Sequence, residues 1–177
     1  IESFDIDYED DFKIAESIHN NFYKKEIKKT YYKKLVSNTN VSTILSDDGV
    51  NKNILDDYNK EKISINQIIK KQPKNKSWSY RVINSKSNSA TLIAQLKGEG
   101  NRMHFHPNWD EWWYIIKGSW KWIIEDREIL IKKGDVVFIE RNKKHKIIAN
   151  SKNLSIRLAV SRSDVEHVYT LEDFKKV

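Results

Sequence analysis

Residues 98–118 read Gly-Glu-Gly-Asn-Arg-Met-His-Phe-His-Pro-Asn-Trp-Asp-Glu-Trp-Trp-Tyr-Ile-Ile-Lys-Gly, and the fold turns on how they are read. Two imidazoles one residue apart, His104 and His106, reach the same side of the chain only where the backbone is extended, because side chains on a strand alternate with a period of two. Glu111 opens an aromatic run that ends on Gly118, and an isolated His145 follows Gly134. Three imidazoles and one carboxylate in this order form a candidate metal shell inside a small β-barrel.

Outward from this stretch the alternation continues. Residues 78–84, 90–97, 103–106, 112–116, 119–124, 128–131, 136–139, 146–149 and 154–160 each read as a short strand, separated by turn signals such as Ser85-Lys86-Ser87-Asn88 and Glu125-Asp126-Arg127. Eight or nine short strands at this spacing describe an all-β sandwich or barrel. Before residue 73 the period is helical. Phe12, Ala15, Ile18, Phe22, Ile27, Tyr31 and Leu35 form one stripe over residues 10–36, behind an acidic arm at 1–9. His19 lies near that stripe with no partner at metal-ligand spacing and reads as a packed or surface histidine.

Residues 37–50 are rich in Ser, Asn, Thr and Asp and read as turns, with a short helix over 51–59. Ser64 and Gln67 match a capping box for a helix that Pro73 ends. Residues 73–76 are the expected boundary, and after the barrel residues 165–177 read as a turn followed by a helix over 171–176.

Composition narrows the chemistry. The chain has 177 residues, enough for one domain with a core and an extension. It has no cysteine, which excludes disulfides, thiolate catalysis and Cys-bound zinc. No apolar run is long enough for a membrane helix and no signal segment is present, so the cytoplasm is the expected location and no membrane partner is expected. Ile1 in place of an initiating Met leaves room for residues upstream. The net charge is +7; residues 1–75 hold thirteen basic and thirteen acidic side chains, so the excess falls entirely in 76–177. With no helix-turn-helix, RNP-type motif or Arg-rich tract, a small anionic substrate is expected rather than a nucleic acid.

The two glycine-bounded segments resemble the motifs of the cupin superfamily. Its first motif asks for glycine, five residues, His-x-His, three or four residues, glutamate, six residues and glycine; Gly98, His104, His106, Glu111 and Gly118 meet every spacing. Its second keeps Gly134 and His145 in register, but Glu140 replaces a proline, Asn142 replaces a glycine, and the closing asparagine falls one place late at Asn150. The resemblance spans about residues 78–162. It implies a mainly β fold, a cupin-type double-stranded β-helix (jelly-roll barrel) over 76–163 with an α-helical N-terminal extension over 1–75 and a C-terminal turn and short helix over 164–177. It also implies one divalent transition metal per chain, iron first and manganese, nickel or zinc next, on His104, His106, Glu111 and His145. Asp110 is the rival carboxylate, but only Glu111 keeps the distance to Gly118.

Strand parity extends the site. If His104 and His106 point inward, so does Arg102; if Glu111 does, so does Trp113, while Tyr114 faces away. On the last strand Arg157 and Ala159 have opposite parity to Ile156, Leu158 and Val160, and one of these sets faces inward. Arg102, Trp113 and Arg157 are therefore the candidate substrate-binding residues. The other aromatic residues of the region read as core or interface packing, and Lys132, Lys133, Arg141, Lys143 and Lys144 as a solvated rim.

Residues 102–106, with Asp110-Glu111 and the aromatic residues after them, are also similar to the hydroxyanthranilate dioxygenases. In that cupin subgroup an arginine precedes the metal histidine and holds the substrate carboxylate. His104 stands where the subgroup carries an acidic residue, and the gap to the glutamate is one residue shorter. The expected activity is that of a mononuclear non-haem metal oxygenase of the dioxygenase type. The alternatives are a metal-dependent isomerase, epimerase or lyase of a sugar phosphate or small hydroxy acid, and a non-catalytic small-molecule-binding cupin. A homodimer is expected from the helical arm and the exposed aromatic residues.

Overall fold

The computed structural model describes residues 35–175. The acidic arm, His19 and all but the end of the helix expected over 10–36 lie outside these residues. Leu35 and Val36, expected to end that helix, belong instead to a strand, β1 (Leu35–Asn38), which is followed by α1 (Val41–Asp47), β2 (Lys52–Ile54) and α2 (Ile65–Lys71). Then come β3 (Trp78–Asn84), β4 (Ser89–Gln95), β5 (Glu111–Lys117), β6 (Ser119–Ile124) and β7 (Arg127–Lys132). β8 (Val136–Ile139), β9 (His145–Ala149), β10 (Ser155–Ser161), β11 (His167–Thr170) and α3 (Leu171–Lys175) complete the described chain.

A six-stranded sheet in the order β2-β3-β4-β10-β5-β8 faces a three-stranded sheet β7-β6-β9, and β1 pairs with β11 at one side. The alternation read from the sequence is what lets the two sheets share a core. On β5 Glu111, Trp113 and Ile115 are buried while Trp112 and Tyr114 are exposed, and on β6 Trp120, Trp122 and Ile124 are buried. These side chains pack with Ile93, Val137, Ile139, Ile147 and Ala159 between the sheets. The result is a double-stranded β-helix whose sheets are not closed into one hydrogen-bonded cylinder. The outer face of β3, β4 and β10 is covered by α2 through Ile68. Trp112, Tyr114, Val136 and Phe138 on β5 and β8 remain exposed.

The stretch before residue 76 differs most from its reading. Residues 41–47, expected to be turns, form α1, because Asn40 caps it by accepting from the Thr43 amide at 3.0 Å and Ile44 and Leu45 are buried. The helix expected over 51–59 is absent. β2 lies there instead, parallel to β3, and Ser77 and Ser79 donate to the Asn51 and Asn53 side chains at 2.9 and 2.6 Å. The helix capped by Ser64 forms as expected over Ile65–Lys71. From residue 36 onward the described chain is one compact unit. No helix among the described residues is long and apolar enough to cross a membrane.

Candidate metal centre

The segment expected as a strand over 103–106 is held not by a regular ladder but by single bridges, His104 to His145 and Phe105 to Val168, with Gly100 bridged to Ile148. The bridges do the same work. His104 and His145 exchange both backbone hydrogen bonds, at 3.1 and 2.8 Å, which sets the two residues directly opposite one another. Gly100 makes the close approach possible, since a Cβ there would lie 1.8 Å from the Ile147 carbonyl oxygen. On the other side the Asn142 amide donates to the His106 carbonyl at 2.7 Å. Asn142 stands at φ 66, in the left-handed region where the cupin motif carries glycine, and asparagine tolerates that conformation. The departure from the second motif thus preserves its turn.

His104, His106, Glu111 and His145 are all buried, and one ligand atom from each lies within 4.8 Å of the others. A metal with bonds of about 2.1 Å holds opposite donors about 4.2 Å apart, so small adjustments close this shell. The tautomers suit it. Nδ1 of His104 donates to the Arg102 carbonyl at 2.8 Å, that of His106 to the Glu166 carbonyl at 2.8 Å and that of His145 to the Lys143 carbonyl at 3.1 Å. A carbonyl can only accept, so in the neutral rings Nε2 is left with its lone pair for a metal, as in His104 and His145, whose burial disfavours the charged form. His145 Nε2 is buried without any hydrogen-bond partner, an orphaned polar atom that a cation would satisfy. The site fits a metal.

Electrostatics keeps most of the rings neutral, which is the ligating form. Burial drives His104 well below its ordinary value, aided by the charges of His145, His167 and His106. Burial and then His106 push His145 down to about 4. His106 is the exception: burial opposes its charge, but the Glu111 carboxylate overcomes this and raises its pKa. Burial would raise Glu111, and the charge of His106 holds it down instead. His106 Nε2 and Glu111 Oε2 stand 2.9 Å apart, where a proton and a metal ion compete for one place.

The other expected residues divide. Trp113 faces inward with its ring edge-on to His145, centroids 5.6 Å apart, and so walls the site. Arg102, expected to offer its fork to a substrate, is buried but employed. Its Nε donates to Asp48 at 2.8 Å, Nη1 to the Phe174 carbonyl at 3.1 Å and Nη2 to Asp47 at 3.5 Å. Arg157 faces the interior, settling the parity of the last strand in its favour. Asp110 is no rival to Glu111, because it is half-buried outside the shell and held by Arg141 at 3.0 Å.

His167 is the residue the sequence reading missed. Its ring stacks on that of His104 at 4.7 Å and meets His106 edge-on at 4.5 Å. It arrives on β11, a strand expected as a turn. The signal was there in His-Val-Tyr-Thr at 167–170, a short run with β-branched and aromatic residues.

Residues 92–161 match the family pattern described as the Cupin domain. No curated protein matches the sequence. Among solved structures, a conserved protein with a double-stranded β-helix domain from Klebsiella pneumoniae is 15% identical, over 63% of this chain and 97% of that one, with a TM-score of 0.53. A Thermus thermophilus protein is 21% identical over 58% and 97%, with a TM-score of 0.52. The polyketide cyclase RemF from Streptomyces resistomycificus is 17% identical over 65% and 89%, also at 0.52. At these identities the likeness is one of fold. The matched stretch contains all four candidate ligands within a double-stranded β-helix, so the likeness to the cupin domain holds over residues 92–161 and takes in the whole candidate shell.

Proposed function

We propose that the chain is a metal-dependent cupin enzyme acting on a small anionic molecule, with a mononuclear non-haem oxygenase as the reading its site supports best. The observation that carries it is the buried shell of three imidazoles and one carboxylate, with His145 Nε2 unpartnered. This donor set suits iron first and also manganese, nickel or zinc. A metal held there supplies Lewis acidity and, if it is iron, redox chemistry with oxygen at its open positions. The chain itself orients the rings through backbone carbonyls, keeps water out with Trp113 and Trp122, and draws anions with the basic excess of residues 76–177.

Elemental analysis of the purified protein is expected to find one transition metal per chain. His106→Ala and His145→Ala are expected to lose it, and full occupancy in both variants refutes the site. The iron-loaded protein is expected to consume oxygen with a small aromatic or thiol acid. Turnover unchanged without oxygen would sink the oxygenase and favour a metal-dependent isomerase, epimerase or lyase. His167 stands beside the shell, its Nδ1 donating to the Val165 carbonyl at 3.1 Å.

A further inference from the structure

The two faces of the six-stranded sheet are not finished alike. Its inner face packs against the three-stranded sheet, and on its outer face α2 covers the half toward β3. The half toward β8 is left open among the described residues. There the strand registers line up one row of Ile83, Ala90, Val160, Trp112 and Phe138, and beside it Leu158, Tyr114 and Val136 continue the row of Tyr80 and Leu92. Neither row contains a charged residue, and Val136 and Phe138 at the β8 end are 64% and 59% exposed.

β8 also departs from the ordinary protection of a sheet edge. The other edge strands of the two facing sheets, β2, β7 and β9, carry Lys52, Lys132 and Lys146, whereas β8 reads Val-Val-Phe-Ile. Charges on edge strands keep other chains from packing there. An uncharged edge continuous with exposed Trp112 and Tyr114 marks a face that is covered in use.

The relief of the face points to what covers it. Beside the ridge of Val136 and Phe138 lies a groove of about 440 Å³, lined by Ile83, Ala90, Trp109, Trp112, Leu158 and Val160. A ridge and a groove on one face suit a twofold axis, by which each copy sets its ridge into the other's groove. The first row is ordered for this. An axis running along β10 through Val160 sets Trp112 opposite the partner's Ala90, large against small, and Phe138 opposite the partner's Ile83. Charge agrees as well. The chain carries +7, which drives copies apart, but the charges bordering the groove are already paired, Asp110 with Arg141 at 3.0 Å and Asp164 with Arg162 at 2.7 Å. The face offers no charge to an acidic or basic partner and meets a copy of itself without repulsion.

We propose that this half of the sheet is the contact between two copies of the chain, a twofold dimer in which Phe138 of each enters the groove of the other. Glu111 and Trp113 leave β5 on the opposite side, so the contact does not depend on the metal centre.

Sedimentation equilibrium of the full-length protein is expected to give twice the mass of one chain. A wild-type protein that stays monomeric across the concentration range overturns the proposal and leaves the face to another occupant. Phe138→Lys and Ile83→Glu each set a charge into the apolar contact, and each is expected to weaken self-association roughly a hundred-fold or more. Both positions are exposed in the single chain, so circular dichroism is expected to show both variants folded. Mixed together, the two variants are expected to dimerise again. The new lysine then faces the new glutamate in one contact, and the other contact keeps Phe138 against Ile83. Leu130→Glu, exposed on β7, is the control and is expected to leave the dimer intact. Self-association unchanged in the folded Phe138→Lys and Ile83→Glu variants overturns the contact. So does a mixture that stays monomeric, or a dimer lost in Leu130→Glu.

Discussion

Arg102 stands two residues before His104, where strand parity points it toward the metal ligands, yet Asp48, Asp47 and the Phe174 carbonyl hold all three of its nitrogens. Spacing reveals which side of the chain a residue leaves from, because the period of an extended backbone is fixed. It does not reveal employment, because the partner Asp48 lies 54 positions away and comes near only when α1 packs against the barrel. The four candidate ligands were legible for the same reason that the role of Arg102 was not: their contacts follow from local geometry repeated at two glycine-bounded turns. Arg102→Met would strand Asp48, a side chain 5% exposed, as a buried carboxylate without its cation. Denaturant unfolding is expected to show a loss of about 3–5 kcal/mol. Metal stoichiometry in the folded fraction is expected to stay at the wild-type value, and a lost metal would mean that Arg102 serves the shell directly.

Among elements, the strands that alternate cleanly were legible to within a residue or two, as β3, β6 and β8 show. α1, β2 and β11 were not. Each is short, and each is held by partners remote in sequence: α1 by the core that receives Leu45, β2 by the serine side chains of β3 and its approach, β11 by β1 and Phe105. The segment bearing His104 shows the converse, a strand in the sequence pattern that the fold reduces to isolated bridges. Its position depends on Gly100. Gly100→Ala would drive a methyl group into the Ile147 carbonyl, and is expected to cost about 1–3 kcal/mol or more and to weaken metal binding by moving His104 away from His145. Gly134→Ala is the control. Nothing lies within 4 Å of a Cβ there, so only the strain of φ 96 is felt, about 1–2 kcal/mol, with metal affinity retained. Paired thermal melts and zinc titrations check both, and equal metal affinity in the two variants would contradict the role given to Gly100.

For the molecule as a whole, gathering imidazoles in a buried centre ties stability to pH. In the unfolded chain histidines take up protons near 6.5, whereas burial holds His145 to about 4 and His167 to about 3 and keeps His104 well below its ordinary value. Between pH 6.5 and 4 acid therefore protonates the unfolded chain first and draws the equilibrium toward it. His106 works in the opposite sense: its raised pKa gives stability that is full below 6.5 and lost as the pH climbs past the raised value. Three lowered groups outweigh one raised group, so the metal-free protein is expected to lose on the order of a few kcal/mol between pH 6.5 and 4. Thermal melting across that range checks this, and a midpoint that holds or rises on acidification would contradict it.

The match to the cupin domain stops at residue 161, but the carbonyl that orients His106 belongs to Glu166, and the fourth imidazole of the centre to His167. Ser37 reaches the same place from the opposite flank of the chain, its hydroxyl on the Glu166 carboxylate at 2.6 Å. The portion that would have to move together in a transplant is therefore larger than the portion that matches the cupin domain. A graft ending with the shared barrel would carry every candidate ligand and leave behind the support that tells one of them which way to face.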